Sequence, residues 1–207
     1  MKKVLKLSVS VLLMAVMLMF SLTVFAATTS IMPGHVWNDT SGTAIQAHGG
    51  DLLKVGSTYY WYGEDHTNGY PSETVSCYSS TDLMNWKFEN HSISTAASGD
   101  LAAGGVVERP KVIYNASTAK YVMWMHIDNT SYSLAKVGVA TCSTPNGVFS
   151  YIGSFQPNGH QSRDMTAFQD GTSAWLVCLG ENSSGAINQN DRIFPLSSDF
   201  LTPSAET

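Results

Sequence analysis

The sequence predicts an all-β protein of the propeller class, and three observations carry that prediction. One pattern recurs three times: a polar or charged start, an apolar run, a polar turn, and a second apolar run rich in β formers. The copies are regularly spaced, 62 residues from Tyr60 to Val122 and 54 from Val122 to Leu176. Each copy is followed, in the same order, by a further short strand and a closing turn. Repeats of roughly 50 to 60 residues made of about four short strands mark propeller blades. A β-sandwich also spaces its strands regularly; the preserved internal order of the copies favours the propeller.

The chain starts Met1-Lys2-Lys3-Val4-Leu5-Lys6, runs apolar from Val9 to Val24 and leaves that run at Val24-Phe25-Ala26-Ala27. A basic start, an apolar middle and small residues at the exit describe a secretory signal peptide cut after Ala26. The apolar run is nearly long enough to span a bilayer, so an uncleaved anchor is the rival reading. Residues 1–26 are thus expected to be a signal and residues 27–207 an exported, extracellular domain with no membrane attachment after cleavage. Removing 1–26 takes away Lys2, Lys3 and Lys6 and no acid, which leaves 8 of 11 basic side chains against 16 acidic ones, a net charge of −8. An acidic surface argues against nucleic acid or anionic lipid as the partner and suits a neutral ligand. Cys77, Cys142 and Cys178 each sit inside an apolar strand pattern, as small core residues rather than a disulfide framework or a metal site.

Residues 28–46 read as loop, with Trp37-Asn38-Asp39-Thr40 placed to cover or close a sheet. Ala47-His48-Gly49-Gly50-Asp51 delivers the chain to the first strand, and two adjacent glycines allow a close backbone approach. The first strand pair is Gly50 to Val55 and Thr58 to Glu64, with a third strand from Val75 leading to a turn at Trp86. Glu64-Asp65-His66 follows the aromatic strand Tyr59-Tyr60-Trp61-Tyr62; it reads as a ligand contact or as a solvated turn. Residues 92–105 read as a small-residue linker with no core to offer. The second copy starts at Glu108-Arg109-Pro110, returns through Tyr121-Val122-Met123-Trp124-Met125-His126 and continues from Gly138 to Phe149. The third starts at Arg163-Asp164-Met165, turns at Asp170-Gly171 and returns through Trp175 to Glu181, with Ile193 to Leu201 behind it. Three blades do not close a ring, since propellers have four to eight, so the chain is expected to be the front portion of a longer domain.

In a propeller the starts of the innermost strands converge on the central axis, and here they offer His48-Gly49-Gly50, Glu108-Arg109-Pro110 and Arg163-Asp164-Met165. Carboxylates converging beside aromatic strands suggest general acid and base work on a sugar. The plainer alternative is that Glu108–Arg109 and Arg163–Asp164 are structural ion pairs. No nucleotide loop, zinc spacing or nucleophile elbow is present. No cofactor and no metal site are expected, and calcium binding is left open.

The chain resembles glycoside hydrolase family 43, the five-bladed β-propellers, and within it the exo-β-1,3-galactanase-like branch. The likeness is carried by Ile45-Gln46-Ala47-His48-Gly49-Gly50, Tyr59-Tyr60-Trp61-Tyr62-Gly63-Glu64, Glu108-Arg109-Pro110-Lys111-Val112, Tyr121-Val122-Met123-Trp124-Met125-His126 and Asn158-Gly159-His160-Gln161-Ser162-Arg163-Asp164-Met165-Thr166. It covers almost everything from Val36 to Leu201. The resemblance implies that Asp164 is the aspartate that tunes the pKa of the catalytic acid and orients it. It implies that Glu108 recognises the sugar, and that Glu64, Tyr132, Glu181 and Asn182 fall where the branch has sugar-contacting residues. The implied activity is an exported, monomeric glycosidase that trims galactose from β-1,3-galactan side chains of plant polysaccharides with inversion.

Two departures accompany the resemblance. Gly49 stands where most of the family has an aspartate general base; members of the galactanase-like branch also lack it, and a later glutamine is thought to position the water. The family's catalytic glutamic acid falls beyond Thr207, so this chain alone is expected to be inactive. An arabinofuranosidase or xylosidase of the same fold, a non-catalytic carbohydrate-binding propeller and a fragment that cannot fold are the alternatives.

Overall fold

The computed structural model describes residues 27–181 and 187–205. The expected signal peptide, residues 1–26, lies outside the described residues. Among these residues there is no α-helix, only a single 3₁₀ turn at Pro157–Gly159. None is long and apolar enough to cross a membrane.

The strands form three antiparallel meanders. The first sheet is β1 (His48–Val55), β2 (Thr58–Glu64), β3 (Val75–Ser80) and β4 (Lys87–Ile93), in spatial order β1-β2-β3-β4. The second is β5 (Gly105–Asn115), β6 (Lys120–Asn129), β7 (Lys136–Cys142) and β8 (Ser150–Phe155), in order β5-β6-β7-β8. The third is β9 (Met165–Asp170), β10 (Ser173–Glu181) and β11 (Ile187–Pro195), in order β9-β10-β11. The three pairs expected from the repeated pattern are thus β1–β2, β5–β6 and β9–β10, each closed by a short polar turn.

The second sheet lies between the other two, and alternation along β6 shows why its sequence is an unbroken apolar run from Tyr121 to Met125. Tyr121, Met123, Met125 and Ile127 pack with Tyr62, Val75 and Cys77 of the first sheet. Val122 and Trp124 point the other way and pack with Met165, Leu176, Cys178 and Phe194 of the third. Successive side chains of a strand leave opposite faces, so a strand between two cores must be apolar at every position. The indole of Trp124 is satisfied in this setting by donating to the Phe200 carbonyl at 3.1 Å.

The segment before β1 covers the outer face of the first sheet. Trp37 packs with Trp61, whose ring meets Trp86 edge-on at 5.2 Å, and the Trp37 indole donates to the Met84 carbonyl at 3.0 Å. Residues 92–105 depart from expectation. Ser92 and Ile93 end β4 in full burial, and Leu101 joins the first core cluster, so the stretch contributes apolar surface as well as linking sheets. Cys77 and Cys178 are buried as free thiols, while Cys142 is half-buried at the margin of the first cluster.

The innermost strands lie side by side and are joined by side chains standing in for ladder partners. Asp51 accepts the Val112 backbone N–H at 2.9 Å, and Lys111 donates to the carbonyls of Gly49 and Gly50 at 3.0 and 3.1 Å. Between β5 and β9, the Gln169 amide accepts from Tyr114 N–H at 3.1 Å and donates to the Tyr114 carbonyl at 2.9 Å. These contacts bring the starts of β1, β5 and β9 to one end of the assembly.

Candidate active site

Each innermost strand has a β-bulge in or just before its first half. His48 pairs Glu64 and Asp51 pairs Tyr62, so three steps on β1 match two on β2. Glu108 pairs His126 and Lys111 pairs Trp124, which repeats the irregularity on β5. Ahead of β9, Arg163 donates its N–H to Leu179 and Asp164 accepts the Leu179 N–H, both at 2.8 Å, so two residues face one. Bulges re-aim side chains that regular pleating would send elsewhere, and they are frequent beside active sites. Gly49 and Arg109 occupy matching bulge positions with φ of +54° and +52°. Gly50 follows because a Cβ there would stand 1.8 Å from the Tyr62 carbonyl oxygen.

The bulges place Glu64, Glu108, Arg109 and Asp164 together. Glu64, at the end of β2, is buried; its Oε1 accepts the Arg109 backbone N–H at 2.9 Å and its Oε2 lies 3.0 Å from His66 Nε2. The Arg109 guanidinium Nε lies 2.6 Å from Asp164 Oδ1. One residue of β5 therefore links a carboxylate of the first sheet to a carboxylate of the third. Of the two readings of Glu64-Asp65-His66, the solvated turn fails at Glu64, which is enclosed, whereas Asp164 is exposed. The charges at the strand starts pair between sheets: Arg109 with Asp164, and Arg163 Nη1 with Asp128 at 2.9 Å. The alternative of ion pairs between sequence neighbours does not form among the described residues, because the bulges turn adjacent side chains toward different elements.

Glu108 is buried, and its Oε1 lies 2.7 Å from the phenol oxygen of Tyr132. Tyr132 is itself 2.7 Å from the exposed phenol of Tyr70. With one proton on each phenol, Tyr132 donates to the carboxylate and Tyr70 donates to Tyr132. Burial, then the hydrogen bonds to Tyr70 and Glu108, push the Tyr132 phenol well above its ordinary value, so it stays a donor at neutral pH. His66 stands edge-on to Tyr70 at 5.6 Å and stacks flat on His48 at 4.2 Å, which adds an aromatic rim beside Glu64.

Of the six expected site residues, Glu64, Glu108, Tyr132 and Asp164 are brought to this one end. Glu181 closes β10 opposite Ile187 in backbone register, and Asn182 lies outside the described residues. The sequence reading missed Arg109 as the linking residue; its signal is the Arg-Pro pair inside a strand, where proline marks a bulge. It also missed Tyr70, which nothing in its local pattern distinguishes. Gly49 stands where the resemblance set an aspartate. A Cβ on Gly49 would lie 2.3 Å from Glu64 Oε1, so the Glu64 carboxylate occupies the space a side chain would need. Asp51 is engaged with β5 and does not replace it. Among the described residues no group of three or more His, Cys, Asp or Glu side chains is gathered to hold a metal ion.

Adjacent antiparallel meanders whose inner strands converge on buried carboxylates, a phenol and an arginine define a site suited to hydroxyl-rich neutral ligands. The family model for glycosyl hydrolases family 43 matches residues 45–207, and the chain belongs to that family. The crystal structure of an exo-β-1,3-galactanase from Phanerochaete chrysosporium with galactose is similar at 44% identity and a TM-score of 0.80, covering 85% of this chain and 41% of that one. An exo-β-1,3-galactanase from Clostridium thermocellum is 37% identical with a TM-score of 0.76, covering 85% of this chain and 40% of that one. A β-1,3-galactosidase of family 43, solved with galactodeoxynojirimycin, is 33% identical with a TM-score of 0.76, covering 84% and 64% of the two chains. The chain thus spans about 41% of the length of the P. chrysosporium structure it matches. A comparison with curated protein sequences returned no match.

Proposed function

We propose that this chain is the front part of an exported, monomeric five-bladed propeller that releases galactose from the ends of β-1,3-galactan chains with inversion. The observation that carries the reading is the Glu64–Arg109–Asp164 connection, which ties all three inner strands into one acidic site. Residues 1–26 are the export signal, and residues 27–207 are the start of the catalytic domain. Similarity to proteins named as β-1,3-galactanases and as a β-1,3-galactosidase supports galactose as the sugar.

In this reading Glu108 and the Tyr132 phenol form an acceptor and donor pair that fixes sugar hydroxyls, with Glu64, Glu181 and Asn182 as further contacts. The general acid is supplied from beyond Thr207 and protonates the glycosidic oxygen while water attacks the opposite face. A carboxylate beside that acid raises its pKa, because two like charges resist being ionised together; Asp164, steered by Arg109, fills that role.

The test is galactose release from β-1,3-galactan by the full-length protein, followed by NMR during the first turnovers. Inversion of a β-linkage yields α-galactose first; β-galactose as the initial product refutes the mechanism. Asp164→Asn should lower kcat by about 10²-fold or more with the melting temperature unchanged, and unaltered turnover removes Asp164 from the reaction.

A further inference from the structure

Behind the site lies a buried carboxylate that none of the readings above uses. Asp128, near the end of β6, is 1% exposed, and its oxygens collect donors from three directions. Oδ1 accepts the backbone N–H groups of Asn129 at 2.9 Å and Leu134 at 2.8 Å, and Oδ2 accepts that of Ala135 at 3.1 Å. Arg163 Nη1 donates to Oδ2 at 2.9 Å, and His126 Nε2 lies 3.3 Å away. A carboxylate met by several N–H donors fixes the segment that supplies them far better than neutral bonds do.

That segment is the β6–β7 loop, which carries Tyr132. Tyr132 and Ala135 both have left-handed φ, +52° and +47°, which a non-glycine residue adopts only when its surroundings hold it there. Arg163 supplies a second hold: the same Nη1 also donates to the Tyr132 carbonyl at 2.5 Å. Ala135 accepts the Ser162 N–H at 2.8 Å, so the loop is tied to the backbone leading into Asp164. The His126 ring stacks parallel to Tyr132, 9° from coplanar with it, at 6.3 Å.

We infer that Asp128 is a positioning residue: through the β6–β7 loop and Arg163 it sets the placement of the Tyr132 phenol against Glu108 and its spacing from Asp164. The inference rests on the proposed sugar site only where sugar binding is the readout. Asp128→Asn keeps an acceptor for Asn129 and Leu134 but turns an NH₂ toward the Ala135 N–H and Arg163, donor against donor. The loop should loosen while β6 and β7 stay paired.

The experiment uses the full-length protein and two measurements. Hydrogen exchange reads the loop directly: in Asp128→Asn, protection of the Ala135 amide should fall about 10-fold or more while the β6–β7 ladder amides hold. Galactose affinity, by calorimetry, is measured for wild type, Tyr132→Phe, Asp128→Asn and the double variant. Tyr132→Phe should cost about 10-fold in the wild type, the worth of a hydrogen bond to a charged group, and under about 2-fold once Asp128 is changed. A purely architectural Asp128 gives independent effects, so equal costs in both backgrounds overturn the inference. Unchanged Ala135 exchange also overturns it. If Asp128→Asn does not fold, Arg163→Lys replaces it, since the shorter lysine stem does not carry its nitrogen to the point where Nη1 meets both Asp128 and the Tyr132 carbonyl. If the wild type binds no galactose, the proposed function fails, and the exchange measurement still decides the positioning role.

Discussion

Replacing Gly49 by alanine tests the claim that Glu64 occupies the place where most of the family carries an aspartate. Two costs add. Gly49 has φ +54°, and a Cβ in the left-handed region costs about 1–2 kcal/mol. The new methyl would also stand 2.3 Å from Glu64 Oε1. The carboxylate is the far end of a flexible side chain and can swing away, so the overlap itself is not the main cost. Swinging away breaks the bond from the Arg109 N–H at 2.9 Å and leaves a carboxylate that is 6% exposed without its donor, a loss of about 1.5–3 kcal/mol. The expected total is about 2.5–5 kcal/mol. Gly56 is the matched control: φ is +60°, and nothing lies within 4 Å of its Cβ position, so Gly56→Ala carries only the backbone cost. For a chain of this size each kcal/mol moves Tm by about 2–4 °C. Thermal unfolding followed by circular dichroism should therefore show Gly49→Ala about 3–12 °C below Gly56→Ala. Equal melting temperatures would refute the placement of Glu64 and reopen the first inner strand to a general base.

Three further outcomes are expected. Glu108→Gln removes the charge opposite the Tyr132 phenol and should weaken galactose binding about 10-fold; equal affinity by calorimetry returns Glu108 to a structural role. Burial holds the His126 imidazole below its ordinary pKa, against the pull of Asp128 and Glu108 and with the help of Arg163. The unfolded state then takes the proton more readily, so the His126 contribution is complete above about pH 6.5 and is lost as pH falls below it. Melting curves of His126→Gln should decline less steeply between about pH 7 and 5 than those of the wild type, and parallel declines refute the assignment. Burial pushes the Cys77 thiol up to about 12; iodoacetamide at pH 8 should label half-buried Cys142 first, and equal labelling of Cys77 contradicts its enclosure.

The strands and their pairing were legible because their causes are local. Aromatic and β-branched runs such as Tyr59–Tyr62, separated by turns at Gly56 and Gly171, specify strands and hairpins without knowledge of neighbours. The repeat of that pattern also determined that three meanders would follow one another. That Glu108 and Asp164 would meet at one end was legible because the starts of inner strands must converge in such an arrangement. The partners were decided only by tertiary structure. Arg109 meets Asp164 because its bulge turns it there, and a bulge shifts register by one residue, which the two-residue period of a strand does not reveal. Leu101 enters the core because tertiary packing places it in one cluster with Ile93, Val107 and Phe149, although its neighbours in sequence are small and polar. Asp128 lies 4 residues from Tyr132 and 35 from Arg163 in sequence. It meets both only in the folded chain, where its oxygens take the N–H groups of Leu134 and Ala135 in the loop that carries Tyr132 together with Arg163 Nη1 from the start of the third sheet.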